Sequence, residues 1–158
     1  MSPVSQESLA PARAGGIDPR GPRFAAWVTS AVLVAVLLTS SGWLLAAQTL
    51  VFLTGALFGL SKAPYGVVFR RFVRPRLAPP AELEAETPPR FAQAVGAAFG
   101  IAGTVAIASG LVGLGLVLAG FALVAALLNA ATGFCVGCEV YLLALRLTHP
   151  APVGQASR

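Results

Sequence analysis

Both cysteines of the chain, Cys135 and Cys138, fall within the segment Gly133-Phe134-Cys135-Val136-Gly137-Cys138-Glu139-Val140-Tyr141. At this spacing one thiol can attack a disulfide while the other resolves it, and a nearby positive charge or dipole favours the attacking thiolate. The pair suits thiol–disulfide exchange or a persulfide relay. Glu139, the only acidic residue after Glu86, either carries the proton or opposes the thiolate by like-charge repulsion. Three plainer readings stand beside this one. The cysteines are small packing residues, they form a structural disulfide, which a reducing compartment disfavours, or they bind zinc, which wants four ligands and finds only Cys135, Cys138, Glu139 and His149. His149, in a polar tail beside Pro150, reads as a solvated histidine, and no metal and no cofactor is expected.

A second set of residues stands in Lys62-Ala63-Pro64-Tyr65-Gly66-Val67-Val68-Phe69-Arg70-Arg71-Phe72-Val73-Arg74-Pro75-Arg76. Arg70, Arg71, Arg74 and Arg76, interleaved with apolar residues, fit an interfacial helix whose guanidinium groups reach lipid phosphates or another anion. The acidic run Glu82, Glu84 and Glu86 reads as a solvated linker.

The elements that must position these groups are membrane helices. The chain is 56% hydrophobic and 11% charged, with a mean hydropathy of +0.79, against about 25% charged residues in a soluble domain. No charged residue lies between Arg23 and Lys62 or between Arg90 and Glu139, and each gap holds two spans of about 20 residues. All 12 prolines lie outside these gaps, as helices in lipid require. Strict alternation is absent, which disfavours a β-barrel. Thr39-Ser40-Ser41-Gly42 predicts a tight turn between helices over about 24–40 and 43–61. The glycine-rich run Gly110 to Gly115 predicts another, between helices over about 91–109 and 114–132, the last free to slide later.

The fold class is therefore all-α: a polytopic bundle of four transmembrane helices in two hairpins. Its segments are a disordered tail 1–23, hairpin 24–61, basic loop 62–90, hairpin 91–147 carrying the cysteines, and a tail 148–158. All 11 Lys and Arg lie before the first span, in the central loop or, as Arg146 and Arg158, after the last span, and none lies in a hairpin turn, which places both termini in the cytoplasm. The net charge of +5 thus reports topology and anionic-lipid contact, not nucleic-acid binding.

Pro22-Arg23-Phe24-Ala25 recurs as Pro89-Arg90-Phe91-Ala92, and at the same spacing Gly66 falls on Gly133. Two parallel copies of one hairpin would give this pattern, and so would Pro-Arg as a common boundary before a helix. A repeat would set the cysteine segment at the same interface as Gly66 to Arg71. The pairs Gly55 with Gly59, Gly96 with Gly100, and Gly133 with Gly137 suit close helix packing.

Asp18-Pro19-Arg20-Gly21-Pro22-Arg23-Phe24, Pro64-Tyr65-Gly66, Phe69-Arg70-Arg71, Arg74-Pro75-Arg76, Pro89-Arg90-Phe91 and Gly133 to Glu139 together resemble the bacterial membrane family called domain of unknown function 4395, over about residues 16 to 147. The resemblance implies the topology and a bacterial plasma membrane without supplying an activity. Members often accompany rhodanese-like sulfurtransferases and thioredoxin-like proteins, which favours a dithiol that exchanges electrons or sulfur with such a partner. Two other functions compete. One is a non-catalytic anchor or assembly factor for a soluble enzyme. The other is a sulfur-oxyanion permease acting as a homo-oligomer, which would want more polar groups within the spans than Gln48, Gln93, Asn129, a few hydroxyls and Glu139.

Overall fold

The computed structural model describes residues 16–148; the expected tails before residue 16 and after residue 148, with His149, lie outside the described residues. Six helices follow one another: α1 (Arg20–Thr39), α2 (Gly42–Phe58), α3 (Pro64–Val68), α4 (Thr87–Ala108), α5 (Val112–Thr132) and α6 (Val136–Thr148). A π-type turn (Phe69–Val73) and a 3-10 turn (Arg74–Arg76) prolong α3, and two short strands, β1 (Gly16–Ile17) and β2 (Glu84–Ala85), pair antiparallel.

Local chemistry sets the ends of these helices. The Asp18 carboxylate accepts the Arg20 backbone N–H at 3.0 Å, closing the start of α1. Ser40, in the left-handed region at φ 54°, turns the chain, and the Ser41 hydroxyl then accepts the Leu44 N–H at 3.3 Å to cap α2. Pro88 and Pro89 sit in the first turn of α4, where a missing N–H costs nothing. Gly133, at φ 78°, ends α5, its N–H donating to the Asn129 carbonyl at 2.8 Å.

The long helices form a ring in the order α1, α2, α4, α5, closed loosely between α1 and α2 and tightly elsewhere; α3 leans on α1 and α6 on α4. Leu33, Val36, Leu45, Ala119 and Leu123 make its buried centre. Small residues let the helices approach: Gly96 of α4 faces the Phe52 ring, Gly100 faces Thr49, and Gly103 meets the Gly115 carbonyl.

Three helices, α1, α4 and α5, are long and apolar enough to cross a bilayer, and α2 is a shorter apolar helix of 17 residues. Their outer faces carry Trp27, Leu50, Leu57, Val105, Val117, Phe121 and Val124, all exposed. Such a surface fits lipid and not water. Trp43, 90% exposed beside the first hairpin turn, suits an interfacial aromatic.

The structure differs from the sequence reading in several places. Helix α1 begins at Arg20, inside the expected tail, because Asp18 is buried and bonded there. The second turn spans only Ser109 to Leu111, at the start of the glycine run. Beyond Gly133 the chain turns into a separate amphipathic helix instead of prolonging α5. Glu86, expected in solvent, accepts the Leu60 N–H at 2.7 Å and ties the central loop to the end of α2.

Candidate dithiol site

The reversal Gly133-Phe134-Cys135 delivers Cys135 to the start of α6. Thr132 accepts the Phe134 N–H at 3.1 Å within the turn, and the Cys135 carbonyl accepts the Glu139 N–H at 3.0 Å, the first bond of the new helix. Cys135 and Cys138 form a disulfide, with Cα atoms 5.2 Å apart. The Cys138 backbone N–H also donates to Cys135 Sγ at 3.3 Å. Cys135 thus occupies the capping position of a 13-residue helix, where unpaired N–H groups and the helix dipole stabilise a thiolate once the bond is reduced. Both cysteines are half-buried, whereas Glu139 is exposed.

Helix α6 is held against α4 at two points. A Cβ on Gly137 would stand 2.6 Å from the Ala92 Cβ, so only glycine permits this approach. One turn on, the Tyr141 and Phe91 rings pack with centroids 5.6 Å apart. From α1, Arg23 donates to the carbonyls of Ala130 and Ala131 at 3.4 Å each, next to the turn that carries the cysteines.

Behind the disulfide lies a cavity of about 560 Å³ between α1, α4, α5 and α6, lined by both cysteines, Arg23, Gln93, Phe99 and Asn129 among others. A smaller one, about 230 Å³, lies between α1 and α3 and is lined by Asp18, Tyr65, Arg70 and Arg74. The two share Pro22, Leu60 and Gln93.

The four loop arginines are at the same end of the bundle as the cysteines but belong to the α1 side. Arg70 donates to the Ser61 carbonyl at 2.7 Å and Arg76 to that of Phe72. Arg71 and Arg74 are exposed, and nearby Phe69 is buried against Phe24 at 5.8 Å. The Arg20 guanidinium, 2.8 Å from Asp18, holds that buried carboxyl below its ordinary range. Among the described residues no group of three or more His, Cys, Asp and Glu side chains could hold a metal ion.

One polar chain escaped the sequence reading. The Tyr65 hydroxyl donates to Gln48 Oε1 at 2.7 Å, and Gln48 Nε2 donates to Thr29 Oγ1 at 3.3 Å. Burial pushes the Tyr65 phenol up, which keeps it a donor. Its signal was Gln48, an amide in an apolar block, which needs a partner.

The family model described as Domain of unknown function (DUF4395) matches residues 17–146. No curated protein and no solved structure matches the chain. The match spans most of the sequence, and the chain belongs to the DUF4395 family.

Proposed function

We propose that this protein is a membrane-embedded thiol–disulfide exchanger whose Cys135–Cys138 pair trades two electrons with a thioredoxin-like dithiol at the cytoplasmic face. The observation that carries the reading is the disulfide itself, set at the start of α6 with Cys135 Sγ accepting an N–H. Attack by a partner thiolate on Cys135 Sγ breaks the internal bond, forms a mixed disulfide and releases Cys138 as a thiolate that takes a proton. The partner's second thiol then attacks its own sulfur in the mixed disulfide, loses its proton, and frees Cys135. Two electrons and two protons have then passed to the pair, and the partner is left as a disulfide. Exposed Glu139 relays the proton.

The setting belongs to the same proposal. Four helices span the plasma membrane, both termini are cytoplasmic, and Arg71 and Arg74, with Arg70 and Arg76, lie on the inner leaflet. Residues 24–61 and 91–147 act as two hairpin units in tandem, joined by the loop 62–90. Three correspondences support the repeat: the aromatic pairs Phe24 with Phe69 and Phe91 with Tyr141, the packing of α3 on α1 and α6 on α4, and the matching roles of Arg23 and Arg90.

The test mixes the oxidised purified protein with a reduced thioredoxin and follows both disulfides by alkylation and mass. One partner disulfide should form per Cys135–Cys138 bond lost. If the bond persists under excess partner, the pair is structural, and the protein is an anchor for a soluble enzyme.

A further inference from the structure

The cavity behind the disulfide contains two side-chain amides without partners. Gln93 on α4 and Asn129 on α5 are half-buried, line the cavity, and make no side-chain hydrogen bond to any described residue. Both stand in helices long and apolar enough to cross a bilayer, where water is scarce and an unpaired amide is costly. The Gln93 side chain passes close to α2, where a Cβ on Gly55 would lie 3.0 to 3.2 Å from its Cγ, Oε1 and Cδ. Two amide donors on adjacent helices call for a ligand with carbonyl acceptors. The rest of the wall is mostly apolar and aromatic, with Phe52, Phe99 and Phe121, and also carries Arg23, Thr29 and Glu84. Phe121, 62% exposed on the outer face, lines the cavity as well, so the chamber opens sideways to the surface that fits lipid. Its volume of about 560 Å³ lies in the usual range for small-ligand sites.

We infer that this cavity binds a lipid-soluble quinone, which oxidises the Cys135–Cys138 dithiol from inside the bundle. The inference rests on the dithiol reading above and supplies what that reading lacks. A disulfide facing a reducing compartment needs an oxidant other than the soluble thiol pool. A quinone arrives through the bilayer, carries two carbonyl acceptors and takes up two electrons. In the step, the sulfur–sulfur bond forms while both thiol protons and two electrons pass to the quinone, whose carbonyl oxygens become hydroxyls. The Gln93 and Asn129 amides donate to those oxygens, and Arg23, also on the cavity wall, favours the negative charge that develops as they are reduced.

The experiment uses the full chain, reduced, in phosphatidylcholine–phosphatidylglycerol nanodiscs under argon, with decylubiquinone as the oxidant. One hydroquinone should appear per disulfide formed, at a rate that saturates with quinone concentration. In Gln93→Met and Asn129→Leu the quinone rate, divided by each variant's own rate with diamide, should fall about tenfold, the loss of one hydrogen bond. A wild-type rate that rises linearly without saturation overturns the site, even if the variants fail to fold. So does an unchanged ratio in both variants. If thioredoxin exchanges with the pair but decylubiquinone leaves it reduced, the quinone site falls and the dithiol reading stands. If neither reagent reacts while diamide does, both fall.

Discussion

Arg23 and Arg90 do the same job on opposite hairpins. Arg90, in the first turns of α4, donates to the Ala56 carbonyl at 3.0 and 3.2 Å and to that of Leu57 at 3.0 Å, at the end of α2. Arg23, at the same place in α1, reaches the last carbonyls of α5. Each hairpin thus lends a cation to the carbonyl end of the other's second helix, where the dipole is negative and the carbonyls lack helical partners.

The bond lengths rank the two. Arg90→Ala should destabilise the protein by about 1–3 kcal/mol, the cost of leaving the half-buried Ala56 carbonyl unpaired. Arg23→Ala, with longer bonds and an exposed side chain, should cost about 0.3–1 kcal/mol. Thermal unfolding in detergent measures both, and the reverse order would contradict this ranking.

Gly137 should be the least replaceable glycine near the site. Gly137→Ala drives a methyl into Ala92, so it should cost about 1–3 kcal/mol and slow thioredoxin exchange by displacing the start of α6. Gly120, where an added Cβ would meet nothing within 4 Å, is the control: Gly120→Ala should be neutral or gain up to about 1 kcal/mol. Equal effects at the two positions would refute the close α4–α6 contact.

How far the sequence could be read follows from the range of each interaction. The apolar helices showed in charge-free, proline-free runs, and the first turn in Thr39 to Gly42, because helix and turn chemistry act on neighbours. Gly133 was visible but its meaning was not: the apolar composition runs on through Val136, so a helix end and a packing glycine look alike until φ is known. The proposed repeat rested on Pro-Arg-Phe-Ala, and its spacing of 67 residues set Cys135 against Val68. In the structure α3 starts at Pro64 and α6 at Val136, which sets Cys135 against Ala63. The longer second hairpin absorbs the difference. The long-range pairs, Arg23 to Ala130 and Tyr65 to Gln48, left only a charged or polar residue as a sign.

Asp18 should make stability depend on pH. Its carboxyl is held below the ordinary value of 3.8 mainly by the side-chain bond from Arg20. The stabilisation is therefore complete above that value and disappears as pH falls through the lowered one. Asp18→Asn should be less stable than the wild type at pH 7, with the gap closing in acid below about pH 4. A gap in unfolding temperature that stays constant from pH 7 to pH 2 would deny Asp18 this role.

Topology has its own test in a variant with both cysteines replaced by serine. Single cysteines at Thr39 and Ser109, next to the two hairpin turns, should react with an impermeant maleimide from outside intact cells. One at Ala85, in the central loop, should react only after lysis. Labelling of Ala85 from outside would invert the orientation and remove the cytoplasmic partner.

The most direct test of the dithiol is to trap its partner. With Cys138→Ser, Cys135 can attack a partner disulfide but no thiol of this chain carries the exchange forward, so the mixed disulfide can be undone only by the partner's own second thiol; once alkylation of cells blocks that thiol, the adduct should be captured and lost on reduction. The account predicts that mass spectrometry of this adduct finds Cys135 joined to the active-site cysteine of a thioredoxin-like protein, a rhodanese-like cysteine being the sulfur-relay outcome. Absence of any adduct, together with full complementation of a null strain by the double serine variant, would contradict it.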